Sequence, residues 1–287
     1  MMPLTLAAFL SVGADPVPAY MPGPLPGPRV PVPGPLHPIE RIKAKVANLA
    51  LPGTVAPGGP SFLYQPAFEE DKIIRGPARP YVPQPGDIVM SADGSKFWKL
   101  MHNLAGTSHP THSMIVFAMP DGRPAILEGG PHDTLKCRIL EAIPHMASYE
   151  EEGRVWVRRR SVPLTPEESC RLTQFCLYLD GRDFSIRRLA VQLTPFRTRG
   201  PVRTMLVGRP QGPDRKEYFC SELVVEACVY AGLMDAETAR PSATYPRDLF
   251  FSGVTNIYLS KHMKAMNCTW EAPARWTHCP ITPVVER

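Results

Sequence analysis

Prolines are concentrated at the start of this chain. Of 35 prolines in 287 residues, 19 fall in residues 1–86 and 16 in the remaining 201. Proline has no backbone N–H and fixes φ, so the first stretch has few donors for helices or sheets and favours extended polyproline II structure. Overall, 44% hydrophobic and 21% charged residues are ordinary for a globular protein. The sequence therefore predicts a proline-rich leader and a folded body large enough to bury a full core.

This distribution divides the chain into four parts. Residues 1–38 combine a short apolar stretch with a proline-rich linker, residues 39–82 form a short helix and a turn-rich connector, residues 83–260 form the folded domain, and residues 261–287 form a C-terminal tail. The segment from 15 to 38 is predicted to be a semi-rigid linker, with a ligand for an SH3-type domain as the alternative. Either interpretation allows contact with a surface or partner through residues 15–38.

The first residues leave the location of the protein open. No apolar run approaches the roughly 20 residues that a membrane-spanning helix needs, so we predict no transmembrane segment. Residues 4–14 are apolar and end in small residues, as in a signal peptide, but no basic residues precede them. Export to the periplasm or the cell exterior and an unstructured start both remain open.

Charge and cysteine content exclude two classes of site. The net charge of +5 is modest, and the basic runs at 158–160 and 187–188 belong to no nucleic-acid-binding motif, so we predict no nucleic-acid partner. The seven cysteines lack regular spacing and contain no CxxC pair. We therefore predict neither a metal site nor another cofactor. Whether Cys268 and Cys279 form a disulfide stays open.

Hydrophobic patterning predicts separate helices and antiparallel strands, which is an α+β fold class. The predicted elements are a strand at 88–90, a helix at 95–104, a hairpin of strands 112–118 and 125–128, a strand at 154–159, and helices at 165–179 and 220–231, with another short helix at 39–51 and a long loop at 195–216. Thr165, Pro166 and Glu168 are typical of a capping box. Gly232 is a typical helix end.

Cys220 is the candidate nucleophile. It lies where a predicted helix begins, so the unpaired backbone N–H groups and the positive end of the helix dipole favour its thiolate form. A thiolate with an imidazole in reach, oriented by a third polar group, is the minimal activated cysteine. An inert, packed cysteine is the alternative at this position.

His112 is the candidate partner because it begins an apolar strand that can hold it rigidly. Glu128 lies on the second strand of the same hairpin, 16 residues later. An odd number of turn residues would place both side chains on one face of the sheet, whereas an even number would separate them. A solvent-facing histidine at a strand end is the alternative interpretation.

Six motifs in a fixed order carry a resemblance to a known family. They are PGDIV at 85–89, THSMIV at 111–116, ILEGG at 126–130, LTPEE at 164–168, YFCSELV at 218–224 and TYPRDL at 244–249. This set resembles the circularly permuted NlpC-type cysteine peptidases, a papain-like family related to cell-wall amidases. The resemblance covers about residues 83–252. It implies a papain-like fold, with an antiparallel sheet or small barrel packed against helices.

The resemblance also implies roles for individual residues. Cys220 would be the nucleophile, His112 the general base and acid, and Glu128 the residue that orients His112. Beside these three residues, Tyr218 and Ser221 are candidates to support the site or stabilise an oxyanion, and a core residue is the alternative for Tyr218. The implied activity is hydrolysis of amide bonds in a peptide or other acyl substrate, with cell-wall peptides as one candidate. A thiol acyltransferase or lipid-ester hydrolase is one alternative, and an inactive papain-like binding module is another.

Two positions depart from the family pattern. Met114 stands where a glycine is usual two residues after the histidine, so the pocket wall beside the base would differ. The usual aromatic-Asp pair appears as Asp183 and Phe184, followed by Ser185. Asp87 and Glu222 also match family positions, although turn closure and helix capping explain them without chemistry.

Overall fold

A mostly antiparallel sheet organises the part of the chain that the structure describes. This computed structural model describes residues 60–64, 78–93, 108–130, 134–192, 201–251 and 269–278, together with positions 103, 194 and 197–199. The ten strands found there are β1 (Ser61–Tyr64), β2 (Arg79–Tyr81), β3 (Ile88–Asp93), β4 (His112–Ala118), β5 (Pro124–Gly130), β6 (Lys136–Glu141), β7 (Gly153–Arg158), β8 (Asp183–Phe184), β9 (Glu217–Tyr218) and β10 (Ala274–Thr277).

The strands do not follow chain order across the sheet. Their order is β2, β1, β10, β7, β3, β4, β5, β6, β8, β9. Neighbouring strands are antiparallel except for the short parallel pair β8 and β9. The hairpin of β4 and β5 therefore lies inside the sheet rather than at an edge, where its neighbours β3 and β6 hold both of its strands.

Helices cover both faces of this sheet. Within the described ranges they are α1 (Ala142–Glu152), α2 (Pro166–Leu179), α3 (Ile186–Val191), α4 (Pro201–Val207), α5 (Cys220–Ala231) and α6 (Pro246–Phe251), with 3₁₀ turns at Gly212–Asp214 and Pro241–Ala243. None of these helices has the length and apolar character that crossing a membrane requires.

The alternation of side chains along the strands produces two hydrophobic cores. On one face, Ile115 and Phe117 of β4 and Leu127 of β5 pack with the apolar residues of α2 and α5. On the other face, Met114 and Val116 of β4 pack with the buried residues of α1. The sheet is thus a central layer between two sets of helices, and the described fold is α+β, as predicted.

Several local predictions are confirmed. The hairpin has its strands at 112–118 and 124–130. Thr165 and Glu168 form the complete capping box at the start of α2. Helix α5 starts at Cys220 and ends at Gly232, which has a φ of 85° that favours glycine.

Other local predictions need correction. The segment 195–216 is not one long loop, since it contains α4 and the first 3₁₀ turn; Pro201 begins α4, where a missing N–H costs little. The sheet also extends past the predicted domain boundaries: β1 and β2 come from the predicted connector, and β10 comes from the predicted tail, where Trp276 is fully buried.

Some predictions fall on parts of the chain outside the described residues. These are the leader at 1–38, the helix at 39–51, most of the helix at 95–104, and the pair Cys268 and Cys279. They stay predictions.

Candidate functional site

The β4–β5 hairpin brings His112 and Glu128 together. Five residues, 119–123, connect the two strands, which is an odd number. Ile115 lies opposite Leu127 in the register, so continuing the ladder places His112 opposite position 130 and Glu128 opposite position 114. Both side chains therefore leave the same face of the sheet. His112 Nε2 is hydrogen-bonded to Glu128 Oε2 at 3.1 Å.

Gly130 leaves the space that the histidine ring occupies. A Cβ atom at this position would lie 2.8 Å from His112 Cε1, which is closer than real Cβ atoms approach other heavy atoms. Since these residues face each other across the ladder, any side chain at position 130 would displace the imidazole. The last glycine of the ILEGG motif is thus part of the site.

Helix α5 places Cys220 at the same hairpin. The helix packs against β4 and β5, and Cys220 is its first residue. The thiol is buried, with 7% of the residue exposed. Hydrogen bonding to Cys220 is among the interactions that act on His112. Because Glu128 engages Nε2, Nδ1 is the ring nitrogen left for the thiol.

The electrostatics of the pair favour a protonated imidazole beside a charged carboxylate. Burial alone would lower the pKa of His112, but hydrogen bonds to Cys220 and Glu128 and their charges raise it to about 10. Burial alone would raise the pKa of Glu128, but His112 and His145 lower it well below its usual range. Together these shifts describe an ion pair held within a largely buried site.

The Glu128 carboxyl is expected to make the folded protein acid-sensitive. A pKa that is lower in the folded than in the unfolded state stabilises the fold above the unfolded pKa, and this stabilisation is lost as the pH falls through the folded pKa. The ordinary pKa of a glutamate is 4.5. As the pH falls below this value, the difference in unfolding free energy between wild type and Glu128→Gln should therefore shrink by about 1.4 kcal/mol per pH unit. Urea denaturation between pH 7 and pH 2.5 measures it. A difference that does not change between pH 5 and pH 3 would contradict the expectation.

Helix α1 contributes two side chains that the sequence analysis missed. His145 Nε2 lies 3.0 Å from Glu128 Oε2, at ion-pair distance although not aligned as a hydrogen bond. Tyr149 Oη donates a hydrogen bond to the same oxygen at 3.1 Å. A proline usually argues against a helix, but Pro144 lies in the first turn of α1, where proline is tolerated. The spacing of four between the histidine and the tyrosine was the signal that could have paired them.

The structure assigns the hydroxyl groups of Tyr218 and Ser221 to other partners. Tyr218 Oη donates to the carbonyl of Gly212 at 2.8 Å, and burial raises the pKa of the phenol. Ser221 Oγ donates to the carbonyl of Thr244 at 2.6 Å. Both side chains thus support the segments around Cys220, and neither hydroxyl hydrogen is directed to an oxyanion.

Asp87 and Met114 have contacts that stabilise the fold rather than the site. Burial raises the pKa of Asp87 to about 6, against hydrogen bonds from the Arg160 amide, the Tyr81 hydroxyl and the Gln84 amide. This carboxylate therefore ties the turn before β3 to Arg160, two residues after the end of β7. Met114 is fully buried in the core beneath α1.

Phe184 and Ser185 lie beside the start of α5. Phe184 pairs with Tyr218 in the short β8–β9 ladder, and Ser185 caps α3. The segment that departs from the family pattern thus flanks the strand leading to Cys220.

Comparisons with known proteins identify no family. No protein-family model matches the chain, and no curated protein is significantly similar to it. Among solved structures, the chain is similar to the crystal structure of metalloprotein yiiX from Escherichia coli O157:H7, DUF1105, with a TM-score of 0.36 and 19% identity over 53% of this chain and 67% of that chain. Within the described ranges of the present chain, no group of three or more His, Cys, Asp or Glu side chains is arranged to hold a metal ion.

Proposed function

We propose that this chain is a cysteine-dependent hydrolase of amide bonds, with Cys220 as nucleophile, His112 as general base and acid, and Glu128 as the residue that orients His112. The observation that carries this proposal is that one imidazole ring, that of His112, interacts with both Glu128 and Cys220. One ring nitrogen is bound to Glu128 Oε2, and the Cys220 thiol interacts with the same ring. This is the arrangement of an activated nucleophile with an oriented base.

The start of α5 supports the same proposal. The residue before the helix is Phe219, whose side chain makes no capping hydrogen bond. The first N–H groups of a helix have no intrahelical acceptor, and an anion at this end is stabilised by the helix dipole. A thiolate at Cys220 and an oxyanion formed next to it both carry the charge that this position favours.

The proposed reaction begins with attack of the Cys220 thiolate on the carbonyl carbon of the substrate. The carbonyl π electrons move to oxygen, and the Cys220 backbone N–H stabilises the resulting oxyanion. His112 imidazolium then donates its Nδ1 proton to the leaving nitrogen as the C–N bond breaks. The products of this half-reaction are a free amine and a thioester on Cys220.

Hydrolysis of the thioester completes the cycle. Neutral His112 takes a proton from a water molecule, whose oxygen attacks the thioester carbonyl. The C–S bond breaks, the acid product leaves, and the thiolate and imidazolium are restored. Glu128 keeps its charge throughout and holds Nε2, so the same ring serves first as an acid and then as a base.

Cys220 is expected to be alkylated by iodoacetamide at a pH where ordinary thiols are almost unreactive. A thiol with the usual pKa of about 8.5 is roughly 0.3% ionised at pH 6, whereas the proposed reaction requires a reactive Cys220 thiolate beside His112. We expect a rate at pH 6 about 100-fold above that of an ordinary thiol, and a fall to the ordinary rate in His112→Ala. Mass spectrometry of the Cys220 peptide measures both rates.

The same digest contains its control. Cys170 lies on the exposed surface of α2, away from the proposed site, and serves as the comparison thiol in the same sample. If the alkylation rate of Cys220 has a pH midpoint near 8.5 in both proteins, the catalytic assignment is wrong.

A second experiment separates the reaction classes with amide, ester and thioester substrates, each compared with Cys220→Ala. Amide turnover supports the hydrolase, and turnover of esters alone supports the lipid-ester alternative. An absence of turnover in every class would count against all enzymatic interpretations.

A further inference from the structure

The carboxylate of Glu128 is shared by more than the histidine of the proposed nucleophile pair. Its Oε2 atom lies 3.1 Å from His112 Nε2, 3.0 Å from His145 Nε2 and 3.1 Å from Tyr149 Oη. The three side chains converge on this single oxygen from β4 and α1. The carboxylate and both histidines are largely buried: the side-chain exposures of His112, His145 and Glu128 are 13%, 10% and 5%.

The ring of Tyr149 also packs against both histidine rings. Tyr149 stacks on His112 with 5.7 Å between ring centroids and 26° between planes. His145 and Tyr149 form a T-shaped pair with 5.0 Å between ring centroids and 80° between planes. Because residues four apart lie on one face of a helix, His145 and Tyr149 reach the site from α1 together. The tyrosine thus touches both the imidazole and the carboxylate that binds it.

We propose that Tyr149 and His145 are positioning residues, which hold the Glu128 carboxylate in the rotamer that keeps His112 directed at Cys220; this inference rests on the proposed function. A glutamate side chain has three rotatable bonds, and a single contact with an imidazole does not fix all of them. The hydrogen bond from Tyr149 to the carboxylate and the close approach of His145, both from α1, supply the missing constraint. The partner of a reactive group needs this kind of support to stay within reach of it.

The neighbouring charges are consistent with an effect that depends on pH. The titratable groups near Glu128 are His112 on β4, Cys137 and the register partner Arg138 on β6, and His145 and Tyr149 on α1, while Cys220 on α5 acts on His112. A well-oriented Glu128 stabilises His112 imidazolium, which in turn stabilises the thiolate. A less well-oriented carboxylate would therefore lower the reactivity of Cys220 more at pH 6 than at pH 9.5, where even an ordinary thiol needs no imidazolium to react.

Tyr149→Phe tests the inference in the full-length protein. This change keeps the aromatic ring against His112 and removes only the hydroxyl that donates to Glu128. We expect the iodoacetamide rate of Cys220 to fall about tenfold at pH 6, the usual effect of losing one charge-assisted hydrogen bond, and less than about twofold at pH 9.5. A purely structural loss would lower the rate by a similar factor at both pH values.

A double-mutant cycle shows whether the hydroxyl acts through the carboxylate. If Tyr149 works by positioning Glu128, Tyr149→Phe should change the rate at pH 6 less than about twofold in a Glu128→Gln background. A tenfold fall in that background would overturn the inference. His145→Asn supplies a second variant, for which we expect a loss at pH 6 in the wild-type background and little further loss with Glu128→Gln.

Tyr178→Phe is the matched control, since this tyrosine lies on α2 and contacts Arg182 rather than the site. It should leave the alkylation rates of Cys220 at both pH values unchanged.

The pH profile of the wild type distinguishes a failure of the proposed function from a failure of the positioning roles. An ordinary thiol profile in the wild type contradicts the proposed function itself. An activated wild type whose profile is unaffected by Tyr149→Phe and His145→Asn contradicts only the positioning roles.

Discussion

Replacing Glu222 by alanine is expected to lower the free energy of unfolding by about 3–5 kcal/mol. Glu222 lies in the first turn of α5 and is completely buried. Its carboxylate accepts paired hydrogen bonds from the guanidinium group of Arg188, one of them 2.8 Å long. It also accepts from Ser242 Oγ at 2.7 Å and lies 2.8 Å from Arg215 Nη1.

The expected loss is large because this one buried carboxylate pairs with two cations. Arg215 is almost as buried as Glu222, with 8% of its side chain exposed, and Arg188 is 25% exposed. Alanine would remove the carboxylate that pairs with Arg188, leave Arg215 with the more distant Glu226 at 3.6 Å, and open a cavity at the start of α5. Breaking a buried ion pair from one side costs far more than the pair contributes against an apolar replacement. The network also joins α3 and the second 3₁₀ turn to the helix that presents Cys220.

Urea denaturation followed by circular dichroism measures the effect. Glu167→Ala is a suitable control, because Glu167 occupies the first turn of α2 on an exposed surface. Its removal should cost less than about 1 kcal/mol, the usual contribution of an acidic residue at a helix start. A loss of similar size in both variants would show that the buried network adds no more than a helix-dipole contact.

The parts of the site that could be predicted from sequence are those set by local periodicity. His112 and Glu128 share a strand face because side chains alternate along a strand and five residues connect β4 to β5. The position of Cys220 at a helix start followed from the apolar run that begins there and ends at Gly232. Each of these features depends on residues close together in the chain.

The parts that could not be predicted depend on contacts distant in sequence. Strand β10 has only four residues, and what places it in the sheet is pairing with β7 and β1, more than 100 residues away. Helix α1 reaches Glu128 because it packs across β7, β3 and β5. The spacing of four could pair His145 with Tyr149 on one helix face, but their proximity to Glu128 follows only from the packing of α1 on the sheet.

Replacing Gly130 by alanine is expected to reduce the iodoacetamide rate of Cys220 at pH 6 by about 100-fold. The added Cβ would lie 2.8 Å from His112 Cε1 and 3.5 Å from both ring nitrogens. The ring cannot stay in place, and a displaced ring loses either Glu128 or the thiol. A misplacement of about 1 Å is enough for losses of this order in a site that depends on orientation. Without the imidazolium, Cys220 would return to the behaviour of an ordinary thiol.

Gly129→Ala is the matched control because it adds the same methyl group one residue earlier, where side chains point to the other face of the sheet. Its Cβ would lie 3.3 Å from Cys137 Sγ and 3.3 Å from Leu223 Cδ2, so small shifts of side chains accommodate it. We expect a modest loss of stability and an alkylation rate within about threefold of wild type. If Gly130→Ala folds and keeps the wild-type rate, the imidazole does not activate the thiol from its observed position. Equal losses in both variants would mean that the strand is sensitive to any added side chain, whereas a loss confined to position 130 identifies the ring of His112 as the group that the glycine accommodates.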